Sequence, residues 1–355
     1  MIAARYTQGK AWHVVETPRP EVEPGGLRLR IDATGICGTD LKIVRHGHRK
    51  LADGQTITLG HEFVGTVDQI APGVSEFREG DRVGVAPNMG RPGSEMVRRG
   101  RANMDPNYTA FGITRDGSHA PYLSIPGEAL QQGNVVRLPG TLSAVDAALA
   151  EPLSCAVSSV QNARVGPGDS VAVYGLGPMG LLNIMCAKAA GARTIAAIGR
   201  SEHKRASALS AGATHTFDNT RTGADAWLSE MTAGRGVDVV ILAAPVPELQ
   251  QEALDVLAPF GRLCNFAGWA RDAAAIPLDT NPIHYKNLLF TGMSGGCNED
   301  YREAIRLIAD REVDVRQIVS HVLPISELER AYSLALSGQA TKVVITAGEH
   351  QEEVA

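Results

Sequence analysis

Three side chains open the chemical reading. Cys37, in Gly35-Ile36-Cys37-Gly38-Thr39-Asp40, offers a thiolate. His61 and Glu62, in Gly60-His61-Glu62-Phe63-Val64-Gly65, offer an imidazole and a carboxylate. Sulfur, nitrogen and oxygen donors of these kinds are the ligands zinc prefers. A further carboxylate, Glu151 in Ala150-Glu151-Pro152-Leu153, falls where the texture of the chain changes, and substrate clefts commonly form at domain junctions. Type and spacing alone do not make the set a metal site, because a lone cysteine with a distant histidine is more often structural. Adjacent residues of a regular strand also point to opposite faces. His61 and Glu62 can therefore share one ion only if the backbone bends there, which Gly60 permits.

The second constellation is Gly175-Leu176-Gly177-Pro178-Met179-Gly180, which fits G-x-G-x-x-G. Glycine-rich turns are common, so the pattern alone is weak. Here it follows an apolar run over 170–174 and opens helical periodicity over 179–190, the required context. The first glycine permits the tight turn and the second lets a pyrophosphate approach the backbone. The third lets helix pack on strand, and the helix N-terminus faces the phosphates. The next strand, 194–198, ends at Gly199-Arg200-Ser201. A carboxylate there would bind the ribose 2′-hydroxyl and repel a 2′-phosphate, and neither Gly199 nor Arg200 supplies one. Arg200 is a planar donor to phosphate oxygens, with Ser201 and Lys204 close by, so NADP(H) is expected over NAD(H). Glu202 falls on the first turn of the following helix, off the usual position.

Two kinds of element must position these groups. From Met1 to about Ala150, short alternating runs such as 27–31 and 64–67 are broken by turn signals at 71–73 and 79–81. That is the pattern of a barrel-like, antiparallel β unit. From about 151 to 292, buried strands at 170–174, 194–198, 237–243, 262–266 and 288–291 alternate with helices, including 202–211. This reads as a doubly wound parallel sheet, so the fold class is α/β. Two more helices, 300–311 and 326–337, and a strand, 341–346, follow, and the polar tail 348–355 is expected to fray.

Composition narrows the partners. Of 355 residues, 44% are hydrophobic, enough for two domains with sizeable cores. The net charge is −5 and no long Lys/Arg block exists, so nucleic-acid binding is not expected. No run of about 18 apolar residues suggests a membrane span, and Met1–Lys10 lacks an apolar signal core. Five scattered cysteines argue against a disulfide framework. The expectation is a cytoplasmic protein.

On these residues the chain resembles the zinc-dependent medium-chain dehydrogenase/reductase superfamily, nearest its polyol (sorbitol) and threonine dehydrogenase branch. The segments G-I-C-G-T-D and G-H-E-F-V-G, Gly80-Asp81-Arg82-Val83, Glu151-Pro152-Leu153-Ser154, the Gly175 loop and His321-Val322-Leu323-Pro324 carry the resemblance over nearly the whole chain. It implies a GroES-like β-barrel catalytic domain over 1–152, completed by 293–355, and a Rossmann NAD(P)-binding domain over 153–292. It implies one catalytic zinc on Cys37, His61 and Glu62, with Glu151 a direct or water-mediated ligand. Thr39 matches the hydroxyl residue that hydrogen-bonds the reacting oxygen and passes its proton towards the nicotinamide ribose. The next relay position is Lys42, whose ordinary pKa near 10.4 would need strong depression. His46 and His48 read as surface loop residues, and Asp40 as one that orients loops. Many relatives carry a four-cysteine structural zinc lobe, but the aligned residues here are Arg91, Ser94, Val97 and Asp105, which cannot hold zinc. No structural zinc is expected, so the Asn88–Asn107 loop must be held by packing or by a neighbouring subunit.

The implied activity is hydride transfer between a secondary alcohol, within a polyol, cyclitol or amino-alcohol, and NADP(H), giving the ketone. His284 and Tyr285 are read equally as cleft, interface or core residues. A homo-oligomer, dimer or tetramer, is implied, with 288–291 a candidate edge strand. The competing readings are a zinc-free reductase of enones or quinones and a non-catalytic nucleotide-binding protein.

Overall fold

A computed structural model describes residues 1–269 and 275–348. The expected fraying of the tail concerns residues that lie, after Gly348, outside those described. The chain divides into two compact units. One comprises Met1–Ser154, Gly296–Arg311 and Ile318–Ala355; the other comprises Cys155–Gly295 with Glu312–Gln317.

The first unit is built on antiparallel strands. Its larger sheet has seven strands. At its centre lies Leu27–Gly35, paired antiparallel with Glu62–Ile70 and, on its other side, with Val343–Thr346 and Tyr122–Ile125. Leu27, Leu29 and Ile31 are buried while Arg30 is exposed, the two-residue alternation of a strand with one face on a core. At Ala33-Thr34-Gly35 the alternation gives way to continuous burial, so this end of the strand is enclosed on both faces. The strand expected over 27–31 is thus longer than its alternating part, because the pattern stops where the second face is covered. Two clusters fill the unit. One joins Leu27, Leu29, Ile31, Phe63, Val67 and Val83; the other joins Tyr6, Ile36, Ile43, Tyr332, Val343 and Ile345. The second cluster brings the C-terminal helix Leu328–Ser337 and strand Val343–Thr346 against the turn that holds Ile36.

The second unit holds a six-stranded parallel sheet. Its order is His215–Phe217, Thr194–Ile198, Ser170–Tyr174, Val237–Leu242, Leu257–Asn265 and Leu289–Gly292. Strand order reverses between Ser170–Tyr174 and Val237–Leu242, where a doubly wound sheet opens a crevice at its carboxyl ends. Every residue of Ser170–Tyr174 is buried, as a strand covered on both faces requires. The expected helices 179–190 and 202–211 occur as Pro178–Ala189 and Glu202–Ser210. Ala150–Asn162, Asp225–Met231 and Leu249–Asp255 are helices that the periodicity did not single out. No helix among the described residues is long and apolar enough to cross a membrane.

Candidate active site

Strand register brings distant residues together. Gly35 faces Glu62 across one antiparallel pair and Val344 across the other. Cys37, just past Gly35, therefore meets His61, just before Glu62, and Lys342 arrives beside Glu62. Gly60, at φ 95°, turns the backbone so that His61 leaves the strand line while Glu62 begins it. Ligand atoms of Cys37, His61 and Glu62 all lie within 4.8 Å of one another.

Asp40 ties the two turns. Cys37 caps the helix Gly38–His46, and its backbone N–H donates to Asp40 Oδ2 at 2.9 Å. Gly60 N–H donates to Asp40 Oδ1 at 3.2 Å, and His61 Nδ1 stands 3.4 Å from the same oxygen. Burial alone would raise the Asp40 pKa, but His61 outweighs it and holds the carboxyl at about 2. Burial alone would lower the His61 pKa, yet Asp40 and Cys37 hold it well above ordinary imidazole. Thiolate, imidazole and carboxylate suit zinc, and a carboxylate behind the imidazole is the usual partner of a metal-binding histidine. The residues present fit the ion.

Lys342, which the sequence reading missed, is buried against Glu62. Its Nζ donates to Glu62 Oε1 at 2.6 Å and to the Ile36 carbonyl at 3.2 Å. Burial would lower its pKa, but Glu62 outweighs that and raises it. Glu62 Oε2 has no well-aligned hydrogen bond, although the ammonium is 2.5 Å away. That oxygen lies over Gly35, where a Cβ would come within 2.1 Å of it. Glu62 therefore shares its charge with a lysine. In the sequence, Lys342 looks like a polar residue at the start of a strand.

Glu151 begins the helix Ala150–Asn162 and is buried. It stands outside the 4.8 Å group of Cys37, His61 and Glu62. Burial first, and Glu62 with Asp40 next, push its pKa up to about 7 against the pull of His61 and Lys342. Such a carboxyl holds or releases a proton near neutrality. Thr39 is half-buried in the first turn of the Cys37 helix. Lys42 and His46 are exposed, and half-buried His48 has its pKa lowered by burial and by Arg49 and Lys50. His119 and Tyr332, also missed, form a buried hydrogen-bonded couple beside the Gly35 turn.

The lobe around Arg91, Ser94, Val97 and Asp105 is tied by a carboxylate. Asp105 is buried and accepts from Arg91 N–H at 3.2 Å and Asn107 N–H at 2.8 Å. The Ser94 hydroxyl, foremost, and these amides hold its pKa below the usual carboxylate range. Val97 packs on Gly90, whose backbone is bonded both ways to the Gln132 side chain.

In the parallel-sheet unit, Gly175 follows the strand at φ 95° and Pro178 opens the helix. A Cβ on Gly180 would come within 1.9 Å of the Gly175 carbonyl, whereas Gly177 faces open space. These are the steric demands expected of the third and second glycines; Met179 sits in the first helical turn. Gly199 follows the second strand, and Ser201 caps the next helix. Arg200 and Lys204 are exposed. Arg205, unanticipated, donates to the Gly199 carbonyl at 2.9 Å and pairs with Asp218 at 3.1 Å. The carboxylate just past the neighbouring strand thereby gains a counter-charge. His284 and Tyr285 form an edge-on pair, and Tyr285 is highly exposed, away from the core.

Comparison with known proteins agrees with both halves. Residues 23–139 match the alcohol dehydrogenase GroES-like domain and residues 178–310 the zinc-binding dehydrogenase domain. A sorbitol dehydrogenase of Halalkalibacterium halodurans is 28% identical over 344 residues, covering 96% of this chain and 97% of its own. An L-threonine 3-dehydrogenase of Caldanaerobacter subterraneus is 30% identical, covering 94% of each chain. A Sinorhizobium meliloti 1021 structure, solved bound to NADP, superposes with a TM-score of 0.86 at 28% identity, covering 97% of this chain and 98% of its own.

Proposed function

Because this chain belongs to the zinc-type medium-chain dehydrogenase/reductase family, in its polyol and threonine dehydrogenase branch, we propose that it transfers hydride between a secondary alcohol and NADP(H), giving the ketone. It is an alcohol dehydrogenase-type oxidoreductase. The observation that carries the finer reading is the convergence of Cys37, His61 and Glu62 within 4.8 Å. We assign the metal to these three and infer one zinc per chain, since the Arg91–Asp105 lobe offers a hydrogen-bonded carboxylate in place of ligands. Zinc held there supplies Lewis acidity that makes an alcohol oxygen more acidic.

The protein's own groups do the rest. Thr39 accepts the alcohol proton and passes it on, a role its match to the family's relay hydroxyl implies and its place in the first helical turn after Cys37 allows. Glu151, buried at the start of the helix Ala150–Asn162, accepts hydrogen bonds from further substrate hydroxyls. That polarity favours a polyol, cyclitol or amino-alcohol over an apolar alcohol. Asp40 holds His61 and the Cys37 turn in place. Gly175, Gly177, Pro178, Met179 and Gly180 take the pyrophosphate, while Gly199, Arg200, Ser201 and Lys204 meet the adenosine ribose. The exposed Arg200 and Lys204 and the Arg205–Asp218 pairing favour a 2′-phosphate. We further infer a homo-oligomer through the edge strand Leu289–Gly292, and a cytoplasmic setting from the few, odd-numbered and scattered cysteines of the sequence.

Cys37→Ser tests the core of this reading. Turnover of secondary alcohols should fall about a thousandfold, as loss of several kcal/mol of Lewis-acid stabilisation implies. Zinc content should drop from about one per chain towards none. NADPH binding, followed by fluorescence, should stay within about twofold, because the Gly175 loop is untouched. Activity that survives the substitution or a chelator overturns the metal assignment. Two zincs per chain overturn the single-metal count, and a higher kcat/KM with NAD overturns the cofactor preference.

A further inference from the structure

We propose that His119 is a positioning residue for the metal centre, holding the two turns that carry Cys37 and His61 in register through its bonds to the Gly35 carbonyl and the Tyr332 hydroxyl. The proposal rests on the metal reading above and adds a residue outside its ligand set.

His119 is fully buried. Its Nε2 lies 3.1 Å from the Gly35 carbonyl, which can only accept, so Nε2 carries the proton. Nδ1 is then left to accept from the Tyr332 hydroxyl at 2.7 Å. One neutral tautomer satisfies both contacts, and both rotate the ring into a single orientation. The imidazole also packs on the second turn: a Cβ on Gly60 would come within 2.4 Å of His119 Cδ2. One ring thus touches the residue two before Cys37 and the residue next to His61.

Its own backbone is anchored at that point. His119 N–H donates to the Leu59 carbonyl at 2.8 Å, and Ser118 N–H donates to the Gly60 carbonyl at 2.9 Å. Ser118 Oγ and Thr34 Oγ1 are 2.6 Å apart and buried. Tyr332 comes from the C-terminal helix and stacks on Trp12, with ring centroids 4.3 Å apart. The same C-terminal segment delivers Lys342 to the Ile36 carbonyl. Gly35 and Ile36, the two residues leading to Cys37, therefore each have their carbonyl held by a buried side chain from elsewhere. A phenylalanine at 119 would fill the space and keep the edge-on ring contact with Tyr332, now 5.5 Å between centroids. It would leave the phenol without its acceptor and the Gly35 carbonyl without its imidazole donor.

The test measures metal binding in the full-length protein rather than turnover. Zinc affinity is read by competition with a chromophoric chelator, and cobalt replaces zinc to report thiolate geometry through its visible and charge-transfer bands. In His119→Phe, zinc should bind about 10–100-fold more weakly and the cobalt–thiolate band should shift, as loss of an outer partner of a metal site does. His119→Gln, whose amide can still donate to Gly35, should recover most of the affinity. Tyr332→Phe, which leaves the His119–Gly35 bond in place, should lose about threefold, less than the full effect, with a smaller shift of the cobalt–thiolate band. NADPH affinity should not move in any of the three. Wild-type zinc affinity and an unchanged cobalt spectrum in His119→Phe, whatever its melting temperature, would overturn the proposal. Should that variant fail to fold, an unchanged cobalt spectrum in Tyr332→Phe overturns it instead. A wild-type protein that binds neither metal overturns the metal reading itself, an outcome distinct from either.

Discussion

Lys342 carries a charge into a place where only 5% of its side chain meets solvent, and it does so because Glu62, 0% exposed, meets it there. Taking both charges out of water is unfavourable, and their attraction with the added bond to the Ile36 carbonyl offsets that. Removing one partner leaves the other charge buried alone. In chelator-treated protein, Lys342→Met should lower unfolding free energy by about 3–5 kcal/mol, read from urea titration. Adding Glu62→Gln should restore a good part of the loss, since the orphaned carboxylate is then gone. A loss under about 1 kcal/mol would mean that water reaches the pair. The donor types at Cys37, His61 and Glu62 were legible in the sequence because donor chemistry belongs to each residue by itself. Lys342 was not, because its partner is 280 residues away.

At the scale of elements, the lobe between Asn88–Met89 and Thr109–Ala110 shows how a loop keeps its shape around a carboxylate. Asp105 gathers the Arg91 and Asn107 amides and the Ser94 hydroxyl, tying both ends of a segment that otherwise has only the short helix Glu95–Arg98 and a 3-10 turn. Because the Asp105 pKa is lowered in the fold, the tie is complete above the ordinary carboxylate pKa of about 3.9 and fails only as pH falls through the lower folded value. At neutral pH, Asp105→Ala should make the lobe about tenfold more sensitive to limited proteolysis while the rest of the chain resists as before. A chelator should not change the wild-type cutting rate. Chelator-sensitive cutting in the lobe would show that a metal, not Asp105, holds it. The missing cysteines were plain in the sequence; the substitute was not, because one aspartate in a loop looks like any turn former.

Across the whole molecule, the parallel sheet ends in Leu289–Gly292, a strand that among the described residues is paired on one side only. Apolar groups lie exposed around that edge: Phe290 in the strand, Tyr285 just before it, and Phe260, whose N–H bonds the Lys286 carbonyl. Phe260 also holds a positive φ of 62°, unusual for a bulky residue. An open strand flanked by exposed aromatics is a liability unless another copy covers it, and a two-fold pairing of identical edges does so with the same surface on both chains. Light scattering should therefore find wild-type protein at a multiple of the chain mass. Phe290→Asp, which places like charges opposite each other in such a pair, should shift it towards one chain without loss of NADPH binding. A monomeric wild type, or a variant of unchanged mass, rules the edge out.

What this chain could declare alone was whatever is decided by near neighbours. The Gly175 loop was readable because strand, tight turn and helix follow one another, and each glycine answers a local steric demand. Strand alternation in 27–31 and the donor types at 37, 61 and 62 were readable for the same reason. The folded arrangement decided the rest. Antiparallel register set Cys37 beside His61 and brought Lys342 to Glu62, and packing of the helix Leu328–Ser337 joined His119 to Tyr332, which is 213 positions distant. Those partners are chosen by packing and by the need of every buried polar group for a mate, conditions that no local stretch of residues can express.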